Sequence, residues 1–397
     1  MSAPLHGVRI VDLTHGIGGP TAAMILGDLG AEVIKVEVPG GETLRVVTGP
    51  SHKGESYDFL AFNRNKKSLV LDLATEPGRE ALYDLVHISH VVISSFRPGV
   101  MARLGADYET LLKHNPALIY CTITGFGSSG PLAHRAGVDI IGAAYGGIMS
   151  LLREPGRPPL KPQPAMIDST TGVYAALGIV AALRDKDESG RGRKVEICLL
   201  DVAVSLLGFT IPYYTLGGGV LEAMGSKHWN IVPFGTFATK DGYIALGPCW
   251  PRIAHVLGAE WLAEDPRFAT REGRVKHRDE LEGVIAERLR QANTDDWLGL
   301  FEAEDIQAAP VNTVDKVVAD QQVNHNGMIL TIPHSLGGEV KVAGNPIKLS
   351  DHESKPLPPP TLGQHTREIL SQLLGYDEDK IRLVEQARSG KRPAAKQ

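Results

Sequence analysis

The sequence predicts an α/β protein built on a parallel sheet, and three observations lead to this fold class. Short apolar, β-branched segments alternate with helical segments through the first half of the 397 residues, as they do in βαβ units. The strand segments are apolar nearly throughout, which is typical of a sheet covered by helices on both faces. Glycine contributes 44 of the 397 residues, above the usual share of roughly 7%, so many backbone positions require a residue without a side chain.

The elements follow in chain order. Strands are predicted at residues 8–13, 32–37, 91–96, 118–124 and 194–200, and helices at 20–29, 79–86, 108–113 and 169–183. In the second half, Asp241-Gly242 between alternating segments predicts a β-hairpin. Charged helices are expected at 278–291 and 294–304, with Thr294 as an N-cap, followed by strands at 339–343 and 346–349 and a last helix at 366–374. We therefore expect a large α/β domain over residues 1–215, a smaller α+β domain over 225–325, and a return to the large domain over 330–397.

Composition and charge exclude several classes of protein. With 43% hydrophobic residues, 22% charged residues and a net charge of -5, the chain is too apolar for a disordered protein. The chain lacks the excess of basic residues that would favour nucleic-acid binding. It also lacks an apolar stretch of about 18 residues, which would predict a membrane span. The three cysteines lie in apolar segments without metal-ligand spacing, so we expect buried, reduced thiols, no metal site and a cytoplasmic location.

A glycine-rich turn, residues 13–20, follows the first predicted strand. Such a turn offers free backbone N–H groups at a helix N-terminus and can hold a phosphate. It lacks the Lys-Ser/Thr of a P-loop and the third glycine of the dinucleotide fingerprint. Glu37 stands about twenty residues further on, which keeps an NAD-dependent dehydrogenase open as one alternative. A tight turn without a ligand is the other.

Two further groups of residues are candidates for chemistry. Asp168 stands at the start of a helix rich in small residues; it either caps that helix or is a carboxylate that a substrate can reach. Arg97 and Arg103 follow the strand predicted at residues 91–96. Ligands of open α/β sheets bind at the carboxyl ends of strands, so these arginines are either phosphate contacts or ordinary surface residues.

Taken together, the segments resemble the family III CoA-transferases, which include formyl-CoA, carnitine and bile-acid CoA-transferases. The resemblance covers nearly the whole chain in order and is carried by residues 5–14, 26–37 (LGDLGAEVIKVE), 63–73 (NRNKKSLVLDL), 96–105 (FRPGVMARLG), 124–131 (TGFGSSGP), 190–201 (GRGRKVEICLLD), 231–237, 265–268 and 362–368.

The resemblance implies a Rossmann-like large domain, a smaller α+β domain, and ring-shaped subunits interlocked as a homodimer. It implies that acyl-CoA is a substrate, with no tightly bound cofactor, and that Asp168 is the covalent nucleophile. It assigns contacts with coenzyme A to His15, Gly16, Ile17, Gly18, Leu71, Asp72, Leu73, Ser95, Phe96, Arg97, Arg103, Arg135 and Asp139.

Departures from the family narrow the expected activity. Formyl-CoA transferases have a glutamine, a cationic residue and an asparagine where this chain has Ile17, Val38 and Ser95, and their four-glycine loop has no match at residues 224–229. We therefore expect carnitine-type or dicarboxylic substrates, with Lys227 and His228 either binding a second carboxylate or forming a solvated loop.

Two other activities remain open on the same scaffold. 2-Methylacyl-CoA racemases have Gly-His-Asp where this chain has residues 137–139, Gly-Val-Asp. Valine cannot transfer a proton, so the racemase is the weaker alternative. A non-catalytic CoA-binding protein is a further alternative, which the presence of Asp168 disfavours.

Overall fold

A computed structural model describes residues 3–46, 51–334, 336–350 and 356–387. Within these residues the chain forms two compact units. The first comprises the chain up to Ile148, Lys161–Pro212 and the chain from His325 onward, and the second comprises Met149–Leu160 and Tyr213–Asn324. Residues 149–160 thus group with the second unit, although they lie inside the segment expected to form the large domain.

The first unit is built on a six-stranded sheet in which every neighbouring pair is parallel. The strands are β1 (Arg9–Leu13), β2 (Glu32–Glu37), β3 (Lys66–Val70), β4 (Val91–Ser94), β5 (Ile119–Thr124) and β6 (Lys194–Cys198). Their spatial order is β3-β2-β1-β4-β5-β6. This is the strand order of a doubly wound Rossmann-type sheet. Successive strands are added on one side of β1 up to β3 and on its other side from β4 onward, so the strand order reverses between β1 and β4. The predicted α/β fold class is confirmed.

Helices cover both faces of this sheet. On one face, the first helix (Gly18–Asp28) and the Asp168 helix (Met166–Ser189) pack against apolar residues of β1, β4 and β5. On the other face, the core combines strand residues with Glu76–His87 and the C-terminal helices. The other helices of the first unit are Thr43–Val46, Tyr57–Phe62, Val100–Arg103, Tyr108–Leu111, Asp139–Tyr145, Leu199–Leu206, Thr366–Glu368 with a π-helical continuation at Ile369–Leu373, and Glu378–Gln386.

The second unit has its own apolar core. Its sheet contains β7 (Gly235–Ala238), β8 (Tyr243–Leu246) and β9 (Ala308–Pro310), all antiparallel, and the hairpin predicted at Asp241-Gly242 joins β7 to β8. A separate hairpin of the first unit pairs β10 (Ile329–Pro333) with β11 (Glu339–Ala343). A two-residue antiparallel pairing joins Ser51–His52 to Glu55–Ser56. The remaining helices in the described part of the chain are Ile148–Leu151, Thr210–Tyr213 with a π-helical turn at Tyr214–Gly218, Arg252–Val256, Trp261–Glu264, Arg271–Lys276, Arg278–Leu289, Thr294–Ala303, Val314–Ala319 and Gln321–His325.

Several predicted elements are wrong in detail. The edge strand Lys66–Val70 was not predicted, because its sequence begins Lys-Lys-Ser, and Lys66 is buried there through an ion pair with Asp12. Asn293 rather than Thr294 caps the helix Thr294–Ala303, in a capping box with Asp296. No strand forms at residues 346–349, and the helix Glu378–Gln386 was not predicted.

One helix contradicts the expectation about apolar stretches. Met166–Ser189 is long and apolar enough to span a membrane by length and composition, with a mean hydropathy of 1.5 over its best window. One face of it packs into the sheet core through Ala175, Ala176 and Ile179. A core helix of a water-soluble domain satisfies the same criteria, so its composition alone does not indicate a membrane protein.

Candidate active site

The turn after β1 meets the loop after β4 at the point where the strand order reverses. The amide of His15 donates a hydrogen bond of 2.9 Å to Ser95 Oγ, and the His15 ring lies 4.8 Å from the Phe96 ring between centroids. Burial lowers the pKa of His15, so its ring is neutral at pH 7. The structure therefore brings together two of the predicted CoA-binding segments, where ligands of such sheets bind.

Buried charges support the glycine-rich turn from below. Asp12 on β1 accepts hydrogen bonds from Thr14 and from Lys66 Nζ, at 2.9 Å from the latter, and Lys35 Nζ donates to the carbonyl of Thr14 at 2.9 Å. Despite the opposing effect of burial, the two lysines and the Thr14 hydroxyl lower the pKa of Asp12 to about 2. The start of the turn is thus tied to two ionised strand residues.

A carboxylate occupies part of the turn that was expected to face a phosphate. The amide of Gly16 donates to Glu42 Oε2 at 3.3 Å, and Glu42 Oε1 lies 3.4 Å from Lys35 Nζ. Glu42 is buried. Since the Gly16 N–H already has an anionic partner, any phosphate at this turn must use the amides that begin the first helix, at Gly18 and Gly19.

The residue on which the dehydrogenase alternative depends is engaged elsewhere. Glu37 accepts from Arg45 Nε at 2.7 Å and Nη2 at 3.0 Å, and from Ser68 Oγ at 2.7 Å. A ribose-binding carboxylate must keep acceptor capacity for the hydroxyl groups of its ligand. The geometry of Glu37 instead indicates a structural role, and it argues against nicotinamide binding.

Asp168 does not cap its helix. It occupies the third position of Met166–Ser189, where Ala165 is the N-cap residue and makes no side-chain capping bond. The cap comes from Asp139, whose Oδ1 accepts from the amides of Ile167 at 2.9 Å and Asp168 at 3.1 Å. Among the described residues, no hydrogen-bond partner is found for the carboxylate of Asp168, so the interpretation as an N-cap is wrong.

The surroundings of Asp168 raise the pKa of its carboxyl to about 6. Burial contributes most, the neighbouring charge of Asp139 adds to the rise, and Lys161 opposes it. At pH 7 a carboxyl with this pKa is still about nine-tenths ionised. Among the described residues, the side chain is therefore a carboxylate without a hydrogen-bond partner that is mainly ionised at pH 7.

Glycines allow the turn and the Asp168 helix to touch. A Cβ atom on Gly172 would lie 2.6 Å from the carbonyl oxygen of Gly18 and 2.7 Å from Thr21 Cβ, and a Cβ on Gly18 would lie 3.1 Å from the carbonyl oxygen of Asp168. Any other residue at position 172 would push the two helices apart. The glycines thus place Asp168 beside the reversal point of the sheet.

The other predicted contacts differ in how deeply they are buried. Leu71 and Leu73, after β3, are buried, and they belong to the core beneath the surface. A groove of about 430 Å³ beside them is lined by Pro39, Gly40, Val70, Asp72, Leu362, Gly363, Thr366, Val384, Glu385 and Ala387. The guanidinium groups of Arg97, Arg103 and Arg135 belong to exposed residues, and Arg135 lies 5.7 Å from the ring of Phe126.

The two residues expected to meet a second carboxylate have partners within the second unit. Lys227 Nζ lies 2.8 Å from Glu282 Oε2. His228 Nδ1 accepts from the amides of Asn230 and Ile231 at 3.2 and 3.1 Å. These contacts give both side chains a structural role in the fold.

Lys161 and Glu42 were not predicted as site residues. Their contacts, with Asp139 and with the Gly16 amide respectively, form only in the folded chain. Lys161 Nζ lies 3.4 Å from Asp139 Oδ2, and no spacing along the chain connects it to residue 139 or 168. In the described part of the chain, no group of three or more His, Cys, Asp or Glu residues is arranged to hold a metal ion.

Comparisons with known proteins identify the family of this chain. The family model "CoA-transferase family III" matches residues 5–366. The chain is 38% identical to succinyl-CoA:glutarate CoA-transferase of Mus musculus, over 95% of this chain and 88% of that protein. It is 36% identical to succinate–glutarate CoA-transferase of Agrobacterium fabrum, over 93% and 96%.

A solved structure is similar over the same extent. The crystal structure of a CAIB/BAIF family protein from Brucella suis superimposes with a TM-score of 0.86 at 37% identity, covering 94% of this chain and all of that chain. Together with the family match over most of the sequence, this similarity shows that the chain is an enzyme of the family III CoA-transferases.

Proposed function

We propose that this enzyme moves coenzyme A from an acyl-CoA thioester to a free carboxylic acid through a covalent intermediate on Asp168. The observation that carries the proposal is the carboxylate of Asp168, which lacks a hydrogen-bond partner among the described residues and lies next to the glycine-rich turn. A carboxylate that served the fold alone would be expected to have hydrogen-bond partners at this depth.

The chemistry requires only a carboxylate nucleophile. Asp168 attacks the thioester carbonyl of the donor, the C–S bond breaks, and a mixed anhydride and a CoA thiolate form. The thiolate attacks the aspartyl carbonyl, which releases the donor acid and leaves an aspartyl-CoA thioester. The acceptor carboxylate attacks the aspartyl carbonyl of this thioester, the C–S bond breaks, and a second mixed anhydride and a CoA thiolate form. The thiolate attacks the acceptor acyl carbonyl of that anhydride, which gives the product acyl-CoA and frees the Asp168 carboxylate. One thioester replaces another, so the exchange needs no external energy source.

The raised pKa of Asp168 suits this role. At about 6 it leaves the carboxylate ionised at neutral pH without the help of a general base. It also makes the carboxylate more basic than an exposed aspartate, and basicity increases the nucleophilicity of oxygen anions. Because anhydrides and thioesters react with water, the partly buried position of Asp168 protects the intermediates.

We assign the binding of coenzyme A to the first unit. The proposed contacts are His15, Gly16, Ile17, Gly18, Leu71, Asp72, Leu73, Ser95, Phe96, Arg97, Arg103, Arg135 and Asp139. Support comes from the contact of His15 with Ser95 and Phe96 and from the exposed guanidinium groups of Arg97 and Arg103, which suit phosphate. Because Glu42 already accepts from the Gly16 amide, a phosphate at the glycine-rich turn is assigned to the amides of Gly18 and Gly19.

We further propose that the substrates are dicarboxylic acids rather than carnitine-type acids. The two relatives named above act, by their names, on succinate or succinyl-CoA and glutarate. A panel of succinyl-, glutaryl-, malonyl-, acetyl- and butyrobetainyl-CoA tested against the matching free acids by mass spectrometry decides the question. Exchange confined to acetyl or butyrobetainyl groups would overturn the assignment.

We propose a cytoplasmic homodimer of interlocked subunits as the working form. Support comes from the Asp168 helix, which exposes Val173, Tyr174 and Leu177 by 53%, 40% and 63% in the single chain. These residues follow helical spacing on one face, and an apolar face of this kind marks an interaction surface.

Trapping tests the covalent step directly. The enzyme is incubated with succinyl-CoA and then treated with hydroxylamine or sodium borohydride, and the tryptic peptide that contains Asp168 is analysed by mass spectrometry. We expect a hydroxamate or the reduced alcohol at Asp168. An unmodified Asp168 during active turnover, or full activity in Asp168→Ala, would refute the mechanism.

A further inference from the structure

The start of the Asp168 helix is held by a residue from another part of the chain. The first amides of a helix need acceptors, and the N-cap residue, Ala165, has no side-chain oxygen to offer. Asp139 Oδ1 accepts from the amides of both Ile167 and Asp168. Because one oxygen satisfies both donors, the amide of Asp168 is not available to its own carboxylate, and that carboxylate stays free.

The second oxygen of Asp139 is left in an unusual state. Asp139 is only 6% exposed, and its Oδ2 is buried without a hydrogen bond from any of the residues that the structure describes. The nearest opposite charge is Lys161 Nζ at 3.4 Å, on a side chain that is 31% exposed. A buried, charged oxygen held by an ion pair alone is costly for stability, which suggests a role beyond folding.

Several other ionisable groups lie on the elements that pack against the Asp168 helix. Asp28 stands ten residues along the first helix, about 15 Å from its start, and pairs with Arg64. Burial lowers the pKa of His15 and raises those of the Cys121 and Cys198 thiols, so all three are neutral at pH 7. The remaining groups on neighbouring elements are Tyr120, Tyr145, Lys194 paired with Glu196, and Asp201. The charges that act on Asp168 are those of Asp139 and Lys161.

We infer that Asp139 and Lys161 form a positioning pair for Asp168: Asp139 holds the first helical turn so that the Asp168 carboxylate remains free, and Lys161 balances the negative charge of the two aspartates. The inference rests on the proposed role of Asp168. The two members act on Asp168 in opposite directions, since Asp139 disfavours its ionised form and Lys161 favours it.

The test uses two variants of the full-length enzyme that change one charge each. Asp139→Asn keeps an amide oxygen that can accept both backbone hydrogen bonds but removes the charge, and Lys161→Met keeps the length of the side chain. The protonation midpoint of Asp168 is measured by ¹³C NMR of carboxyl-labelled aspartate, with the resonance assigned from its loss in Asp168→Asn. The acid limb of kcat/KM for CoA exchange is measured in parallel, and thermal unfolding shows that the variants are folded.

We expect the midpoint to move to lower pH in Asp139→Asn and to higher pH in Lys161→Met, each by about one pH unit. Midpoints that stay at the wild-type value, or that move in the same direction, overturn the positioning pair. The NMR midpoint does not depend on turnover. If it moves in opposite directions while the acid limb of kcat/KM does not follow, the pair stands and the nucleophilic role of Asp168 fails.

Discussion

At the scale of single residues, the site depends on how one carboxylate differs from its neighbours. Asp12 is buried and fully engaged, with a pKa lowered to about 2, whereas Asp168 is partly buried, unbonded among the described residues, and has a pKa raised to about 6. The first arrangement stabilises charge within the fold. The second keeps a carboxylate reactive.

Replacing Asp168 by asparagine should abolish CoA exchange while coenzyme A still binds. The amide is nearly isosteric but is not a nucleophile, so we expect a loss of roughly 10⁴-fold or more in kcat, with the affinity for coenzyme A retained in isothermal titration calorimetry. Asp201→Asn, a change of the same kind in the first turn of the helix Leu199–Leu206, is the control and should remain active. A variant at position 168 that keeps wild-type kcat would contradict the proposal.

The activity of the wild-type enzyme should fall on the acid side of neutrality. A carboxyl whose pKa is raised is protonated, and loses its nucleophilic form, as the pH falls through about 6. We expect kcat/KM for the acyl-CoA donor to be level above pH 7 and to fall tenfold per pH unit well below pH 6, because the attack on the donor thioester depends on ionised Asp168 and precedes the reaction of the acceptor acid. An acid limb centred near pH 4, the range of an exposed aspartate, would show that burial does not act on Asp168.

At the scale of elements, the packing of two helices determines the position of Asp168. The first helix and the Asp168 helix touch through Gly18 and Gly172. Gly19, in the first turn of the same helix as Gly18, lies against Thr14, whose Cβ would be 2.4 Å from an added methyl group. Thr14 is in turn held by Asp12. The position of the Asp168 helix relative to β1 therefore depends on close contacts at Gly19 and Gly172, where a Cβ atom would overlap its neighbours.

Gly172→Ala should destabilise the protein, because the new Cβ would overlap the Gly18 carbonyl oxygen and Thr21. We expect a loss of about 1–3 kcal/mol in the free energy of unfolding, measured by urea denaturation, together with lower kcat. The matched control is Gly283→Ala in the helix Arg278–Leu289, where an added Cβ meets no atom within 4 Å and the better helix propensity of alanine should stabilise by about 0.5–1 kcal/mol. Equal effects of the two substitutions would show that the helix contact has no influence.

At the scale of the whole molecule, the composition of the Asp168 helix has two causes. One face is apolar because it lies in the sheet core. The opposite face carries Val173 and Leu177, exposed in the single chain, as expected for a surface that a second copy covers. With apolar residues on both faces, the helix passes the length and hydropathy criteria of a membrane span.

Leu177→Arg should weaken the proposed dimer. Introducing a charge at an apolar interface leaves it without a partner, so we expect a shift toward monomer in sedimentation velocity and a parallel loss of exchange activity. Leu383→Arg is the control, since Leu383 is similarly exposed, at 56%, on the helix Glu378–Gln386 but lies outside the proposed interface. If Leu177→Arg leaves the same oligomer as the wild type, this face is not the interface.

By itself the sequence determined the fold class, the family and the candidate nucleophile. Alternating strands and helices need only local periodicity and turn residues, and Asp168 could be singled out because small residues follow it. The tertiary structure decided what those residues do. Lys66 belongs to a buried edge strand because Asp12 pairs with it. Glu37 has a structural role because Arg45 binds it. The carboxylate of Asp168 does not cap its helix because Asp139 does so. Two of these pairs join residues more than 25 positions apart in the sequence, and Glu37 and Arg45 are separated by a turn that local patterns do not predict. Because ion pairs and hydrogen bonds depend on distances in space, only the folded structure reveals them.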